Sequence, residues 1–346
     1  MTESQKTIII SDIHISNGAN YSWFRPPCPD YICEVLNRIA NDSGVGELVL
    51  LGDVFDLWVY PLDVVPLTVS QIIQANPSVT KAFQKCVQNI LNVYYLPGNH
   101  DMGVKTIDLQ PFSSGGKDIQ LISPEKYNRK YENTRHLEHG HAVDMFNAPD
   151  NSSDTIGGYP LGFFISRMAA TASDQSVVWQ DLTKLLQQMG ATHRAMGPAM
   201  IDVISWGPFL VDAIITYLEK RAGVQNNTTI RFSEPELDNK YTVASIKSHY
   251  TTLCSTWYSR CTDLEEFIDK MLAGYLPSGL DWYAKKLLSG AAPPKVVVLG
   301  HTHHAELVDG YYNDGCWCIP GSLGHGDSTP HYVEIVEDNA TLISWK

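Results

Sequence analysis

Short apolar runs alternate with amphipathic stretches over the first third of the chain. Thr7–Ser11, Glu47–Leu51 and Val93–Leu96 are rich in β-branched and aromatic residues and bounded by turn formers, and Lys295–Leu299 repeats the pattern near the C-terminus. Continuous rather than alternating hydrophobicity predicts strands buried on both faces. Within Pro29–Asp42, Ile32, Val35, Leu36 and Ile39 recur at helical spacing. A second helical stretch covers about Val69–Asn89, with a break at Asn76-Pro77, because proline cannot continue a helix. Strand–helix–strand–helix–strand predicts a sheet covered by helices, with function at the C-terminal strand ends. Beyond His303, the runs Ala305–Tyr311, Gly315–Ile319, His331–Val336 and Thr341–Trp345 read as strands closing a second sheet.

From about Pro149 to Pro294 the texture changes. Ser152-Ser153-Asp154 and Gly157-Gly158 open this segment, and Gly290-Ala291-Ala292-Pro293-Pro294 closes it. Helical periodicity dominates inside, over Leu161–Thr171, Val177–Met189, Met200–Ala222, Val243–Tyr258, Leu264–Leu272 and Trp282–Leu288. The expectation is a core of residues 1–148 and 292–346 interrupted by a helical insertion, 149–291, that is a candidate cap over the strand ends. The apolar stretches Leu161–Ile165 and Trp206–Val211 either line a pocket for an acyl or aromatic group or, more commonly, form the insertion's own core.

Composition narrows the function classes. With 346 residues, 44% of them hydrophobic, the chain can bury a substantial core. A net charge of −13 is the wrong sign for neutralising the phosphates of duplex nucleic acid. The seven cysteines are scattered, and Cys316-Trp317-Cys318, the only close pair, matches no zinc knuckle; buried, reduced thiols are the reading. The apolar run Thr7–Ile10 is too short for a secretory leader and no run reaches about 18 apolar residues. The expected location is therefore the cytoplasm. Oligomeric state is left open.

Five clusters carry the chemistry: Asp12-Ile13-His14, Gly52-Asp53-Val54-Phe55-Asp56, Gly98-Asn99-His100-Asp101, His139-Gly140-His141 and Gly300-His301-Thr302-His303. Most follow an apolar run, so their side chains can converge at one sheet edge. On an extended backbone Asp12 and His14 face the same side. Asp53, at the exit of a central strand, can bridge two cations about 3.5–4 Å apart. Asp56 can accept from a ligand imidazole, although both aspartates also suit a helix cap. Asn99 offers a neutral amide oxygen. His100 beside Asp101 suggests a general acid–base group with an orienting carboxylate. Mixed oxygen and nitrogen donors point to first-row ions, Mn, Fe or Zn, rather than to a cysteine-rich structural zinc site.

These motifs resemble those of the calcineurin-like metallophosphoesterases over residues 6–146 and 294–346. The resemblance implies an α/β, four-layer αββα sandwich with a dimetal site at one end of the sheets. Carried over, Asp12, His14, Asp53 and His303 hold one metal, and Asp53, Asn99, His139 and His301 the other. His100 is then the general acid, supported by Asp101, while His141 is left to substrate or to support of the ligands. Gly52-Asp53-Val54-Phe55-Asp56-Leu57-Trp58 also resembles the UDP-2,3-diacylglucosamine pyrophosphohydrolases. The protein Ser/Thr phosphatases of the superfamily show Gly-Asp-x-x-Asp-Arg-Gly and Gly-Asn-His-Glu, from which Leu57-Trp58 and Asp101 depart.

The function implied is hydrolysis of a phosphomonoester, phosphodiester or pyrophosphate by a hydroxide bridging the two cations. The substrate expected is a small phosphoester whose organic part is apolar or a nucleoside. A non-catalytic interaction scaffold, a protein Ser/Thr phosphatase and a dinuclear hydrolase of other bonds are the alternatives. Arg25, Lys105 and Arg167 are cations available to a phosphate, although no spacing singles them out.

Overall fold

The first three apolar runs become β1 (Lys6–Ile10), β2 (Val45–Leu51) and β3 (Asn92–Leu96). The structure, a computed structural model, describes residues 5–149, 155–196, 203–318 and 329–345. β1 lies parallel to β2 and β2 to β3, with Ile10 opposite Leu50 and Leu51 opposite Leu96. Parallel pairing in this register brings the C-terminal ends of all three strands to one edge. β4 (Gln120–Leu121) extends this sheet past β3, and the antiparallel strands β9 (His331–Val336) and β10 (Asn339–Ser344) complete it beside β1. A second sheet takes the order β5-β6-β8-β7, from β5 (Arg135–Leu137), β6 (Val296–Leu299), β7 (Ala305–Val308) and β8 (Tyr311–Asp314).

Side chains alternate across each strand, and both faces are covered. Ile8, Ile10, Leu48, Leu50, Val93 and Tyr95 pack with the buried faces of α1 (Cys28–Asn41) and α3 (Pro77–Asn89). Ile9, Val49, Leu51, Tyr94 and Leu96 meet Leu137, Val296 and Val298 of the second sheet. Behind that sheet, α10 (Asp281–Leu288) packs on β6 and β8. The layers run helix, sheet, sheet, helix, which is the expected αββα sandwich. Two-sided burial explains why the strands read as unbroken apolar runs. Glu47, the one charged residue of β2, is buried and accepts hydrogen bonds from Tyr127 (2.6 Å), Tyr131 (2.8 Å), Lys130 (3.1 Å) and Arg135 (3.2 Å). Asn76-Pro77 does break the second helical stretch, into α2 (Val69–Ala75) and α3.

Two of the expected strands differ. Ala305–Tyr311 is split by a turn at Asp309-Gly310, both at positive φ (46° and 92°), so it forms the β7–β8 hairpin instead. Gly315–Ile319 is not a strand over its described residues. Gly315, at φ 72°, ends β8, and the Trp317 amide donates to the Asp12 carbonyl (2.9 Å) rather than to a ladder. Cys316 and Cys318 are buried there as thiols. Ile319 lies outside the described residues, as do Ser152-Ser153-Asp154 and the expected helix start at Met200.

The chain divides into two compact units. The first, Met1–Leu57, Leu67–Gly140 and Leu280–Lys346, contains both sheets together with α4 (Pro124–Lys130). The second, Trp58–Pro66 and His141–Gly279, contains α5 (Leu161–Thr171), α6 (Gln175–Met196), α7 (Val203–Ala222), α8 (Val243–Cys254) and α9 (Leu264–Leu272). Leu161, Phe163, Phe164 and Ile165 are buried and form this unit's own core; Trp58 meets Phe163 edge-on at 5.9 Å. In the other apolar stretch Leu210 and Val211 are buried and Phe209 is exposed, whereas the Trp206 side chain lies outside what is described. Arg167 is fully buried, and its guanidinium donates to the carbonyls of Tyr60 (2.5 Å), Pro61 (2.6 Å), Val64 (2.7 Å) and Arg231 (2.8 Å). That engagement takes it out of the set of cations open to a phosphate. Among the described residues no helix is long and apolar enough to cross a membrane.

Candidate metal centre

Each of the five clusters begins within three residues of a strand end: Asp12 after β1, Asp53 after β2, Asn99 after β3, His139 after β5 and His301 after β6. Backbone hydrogen bonds join the loops to one another. The amides of Asp12, His14 and Ile15 donate to the carbonyls of Gly52 (3.1 Å), Asp53 (2.8 Å) and Val54 (2.8 Å). Gly300 N–H donates to the His139 carbonyl (3.0 Å), His301 N–H to Asp12 Oδ2 (3.0 Å) and His100 N–H to Asp53 Oδ1 (2.8 Å). No helix starts at Asp53 or Asp56, so neither is a cap.

The backbone here is unusual. Asp12, His14, Asp53, His301 and His303 all adopt left-handed conformations, with φ between 51° and 73°. Such conformations are uncommon outside glycine, cost of order 1–3 kcal/mol each and cluster at functional sites. They also correct the extended Asp-x-His expectation: Asp12 and His14 meet because both turn left-handed, and His14 Nε2 lies 3.8 Å from Asp12 Oδ1. Glycine is required between the loops. Gly52 sits at φ 86°, and a Cβ there would run into the His139 ring.

One side-chain oxygen or nitrogen from each of Asp12, His14, Asp53 and His303 lies within 4.8 Å of the others, as for Asp53, His139 and His301, so each group could hold a metal ion. Asp53 is common to both groups. Asn99 is buried between Gly98 and His100, and the backbones of both neighbours abut the Asp53 carboxylate. His139 Nδ1 donates to the Leu51 carbonyl (2.9 Å), leaving Nε2 at 3.2 Å from Asp53 Oδ2. A backbone acceptor of this kind fixes the tautomer of a metal-ligating imidazole. Cations fit this donor set. Asp12 Oδ1 is buried without a hydrogen-bond partner, yet lies 3.2 Å from His303 Nε2 and 3.9 Å from His139 Nε2. His14 Nε2 and His303 Nε2 face each other at 3.1 Å, a separation that calls for a shared proton or a cation between acceptors.

A model of the calcineurin-like phosphoesterase family matches residues 5–305, a span that includes all five clusters. The chain belongs to that family. No curated protein matches it. Among solved structures it is similar to a dimetal phosphatase from Danio rerio, at 11% identity over 99% of this chain and 100% of that one, with a TM-score of 0.33.

In this phosphoesterase the charges at the site are mutually dependent. Burial opposes ionisation of Asp12 and Asp53, but His139 and its neighbours outweigh it and hold both carboxyls well below the usual carboxylate range. Burial likewise opposes charge on His139, yet Asp53 and Asp12 push its imidazolium up to about 10. Burial prevails at His14, whose pKa is lowered. At His100, burial is outweighed by Asp53 and Asp56, so its pKa is raised.

His100 and Asp101 are not partners. His100 Nδ1 lies 3.1 Å from Asp56 Oδ1. Asp101 instead accepts from the amides of Gly98 (2.7 Å) and Val54 (2.7 Å) and from the Tyr95 hydroxyl. Its carboxylate is occupied in clamping two of the loops together. Asp56 also approaches His14 Nδ1, at 3.9 Å. His141 opens the second unit in a single turn, His141–Val143.

Three contributors escaped the sequence reading. Ser11 Oγ hydrogen-bonds Asp12 and lies 2.6 Å from Asp314, whose carboxyl also accepts from the Ser11 amide (2.7 Å). Burial, reinforced by Asp12, pushes Asp314 up to about 7. Trp23, 4% exposed, packs against three of the site's imidazoles. None of the three falls in a recognisable motif, and a serine or aspartate near a strand end is too common to stand out.

Proposed function

We propose that this phosphoesterase hydrolyses a small phosphorylated molecule with two divalent cations of the Mn, Fe or Zn type. Asp12, His14, Asp53 and His303 would hold one cation, and Asp53, Asn99, His139 and His301 the other. When bound, such a pair lowers the pKa of water and neutralises charge on the phosphoryl oxygens. The observation that carries the proposal is the convergence of buried oxygen and nitrogen donors from four strand ends, after β1, β2, β5 and β6, with five of those residues held in left-handed conformations.

The protein's own groups then divide the work. Asp53 belongs to both donor groups and orders the loop after β3 by accepting from the His100 amide. His100 is the proton donor to the departing oxygen. Its Nδ1 faces Asp56, so the proton would pass through Nε2. Asp56 sets the ring orientation and favours the protonated form, whereas Asp101 fixes the two loops that carry Asp53 and His100. The organic part of the ester, apolar or nucleoside, remains part of the proposal, and the net charge of −13 disfavours a long polyanion.

The test is metal analysis of the whole chain together with turnover of bis(p-nitrophenyl) phosphate. Two ions per chain and metal-dependent turnover are expected, and Asp53→Asn should lose both. Two bound ions without turnover of any phosphoester would favour the interaction-scaffold reading instead.

A further inference from the structure

Trp23 lies on the loop between β1 and α1, outside every motif, and is buried with 4% exposure. Its indole meets the His14 ring at 5.0 Å and 63°, the His100 ring at 5.5 Å and 43°, and the His303 ring at 5.5 Å and 85°. His14 in turn stands edge-on to His100 at 4.6 Å and to His303 at 4.9 Å. One aromatic residue therefore packs on two donors assigned to the same cation and on the proposed proton donor.

The χ2 torsion of histidine is broad, so the plane of an imidazole is not fixed by its rotamer alone. Asp56 anchors Nδ1 of His100, and a contact at one ring nitrogen does not by itself set the plane of the ring. Aromatic pairs have preferred tilts and separations, and the indole supplies a second constraint on the ring plane. We infer that Trp23 is a positioning residue that holds the His100 ring in its working orientation against the His14–His303 pair. The inference rests on the proposed role of His100. Its chemical consequence concerns the leaving group. A poor leaving group, such as an alkoxide, needs the proton in the transition state, whereas p-nitrophenolate departs without it. Trp23 then matters for alkyl esters and little for aryl ones.

Three forms of the whole chain, wild type, Trp23→Leu and Trp23→Phe, would be compared with a p-nitrophenyl ester and an alkyl phosphoester, alongside metal content and circular dichroism. For Trp23→Leu we expect a folded chain with two ions and little change in the aryl reaction. On the alkyl ester kcat should fall about 10–100-fold, in keeping with the rate cost of a misplaced group, with KM changed less than about threefold. Trp23→Phe should restore most of the loss. A readout independent of turnover is the quenching of tryptophan emission on Co²⁺ loading: the wild type should show a quenched component that Trp23→Phe lacks. Equal losses on both esters, no loss on either, or loss of metal in Trp23→Leu would overturn the inference while the proposed function stood. A wild-type chain without metal or turnover would overturn the proposed function first, and this inference with it.

Discussion

Replacing Asp56 by asparagine separates the carboxylate that faces His100 in the structure from Asp101, the one that adjacency in sequence offered to it. The amide oxygen can still accept from His100 Nδ1 across the 3.1 Å contact, so the variant removes charge and keeps shape. A charge-assisted hydrogen bond is roughly twice as strong as a neutral one, a difference of about 1–1.5 kcal/mol, which corresponds to about a tenfold fall in kcat. His100→Ala removes the proposed proton donor altogether and should cost about 10²–10⁴-fold. The pH profile gives the sharper test. Asp56 is one of the groups that raise the His100 pKa against burial. A general acid works in its protonated form, so Asp56→Asn should move the basic limb of kcat/KM to lower pH. Asp101→Asn should leave that limb in place and lower stability instead, because its oxygens hold the Gly98 and Val54 amides. Steady-state kinetics from pH 5 to 9, with metal content measured on each variant, would decide. A limb displaced by Asp101→Asn and unmoved by Asp56→Asn would refute the assignment.

The remaining predictions concern stability. Arg167→Met strips four close carbonyls of a buried donor; removing one member of a buried charged network costs about 3–5 kcal/mol, and hydrogen exchange over residues 58–66 should rise. Retained protection there, with the denaturation midpoint unmoved, would contradict it. Burial, aided by Asp281, pushes the Glu306 carboxyl from 4.5 up to about 7. The folded chain then keeps a proton that the unfolded chain has already released, so stability should decline as pH rises from about 4.5 to about 7 and level off above that. Glu306→Gln should flatten this decline in thermal midpoints, and an unchanged slope would remove the reasoning.

Most of the sandwich was legible because buried parallel strands announce themselves as unbroken apolar runs, and because Pro77 breaks a helix wherever it falls. The candidate donors were legible because Asp, Asn and His at strand ends are few and their spacing is specific. Pairing was not. Whether His100 turns to Asp101 or to Asp56 depends on a loop contact between residues 44 positions apart, and adjacency in sequence pointed to the wrong carboxylate. The β7–β8 hairpin was hidden because an Asp-Gly turn inside an apolar run can be read through as strand. Trp23 was invisible for a different reason: a lone tryptophan in a loop reads as ordinary core until its neighbours are known.

The second unit is threaded rather than appended. The polypeptide visits it first for the short strip Trp58–Pro66, returns to the sheets, and comes back from His141 onward. Trp58 of that strip packs on Phe163, the Tyr60 carbonyl accepts from Arg167 and the Leu62 amide donates to Thr171, all more than 90 positions downstream. A single deletion of 141–279 would thus strip Trp58 of its ring partner and leave the Tyr60 carbonyl and the Leu62 amide without these bonds, and the unit that carries the sheets could not be freed by one cut. The strip also begins two residues after Asp56, which gives any loosening of the helices a covalent route to the carboxylate that faces His100.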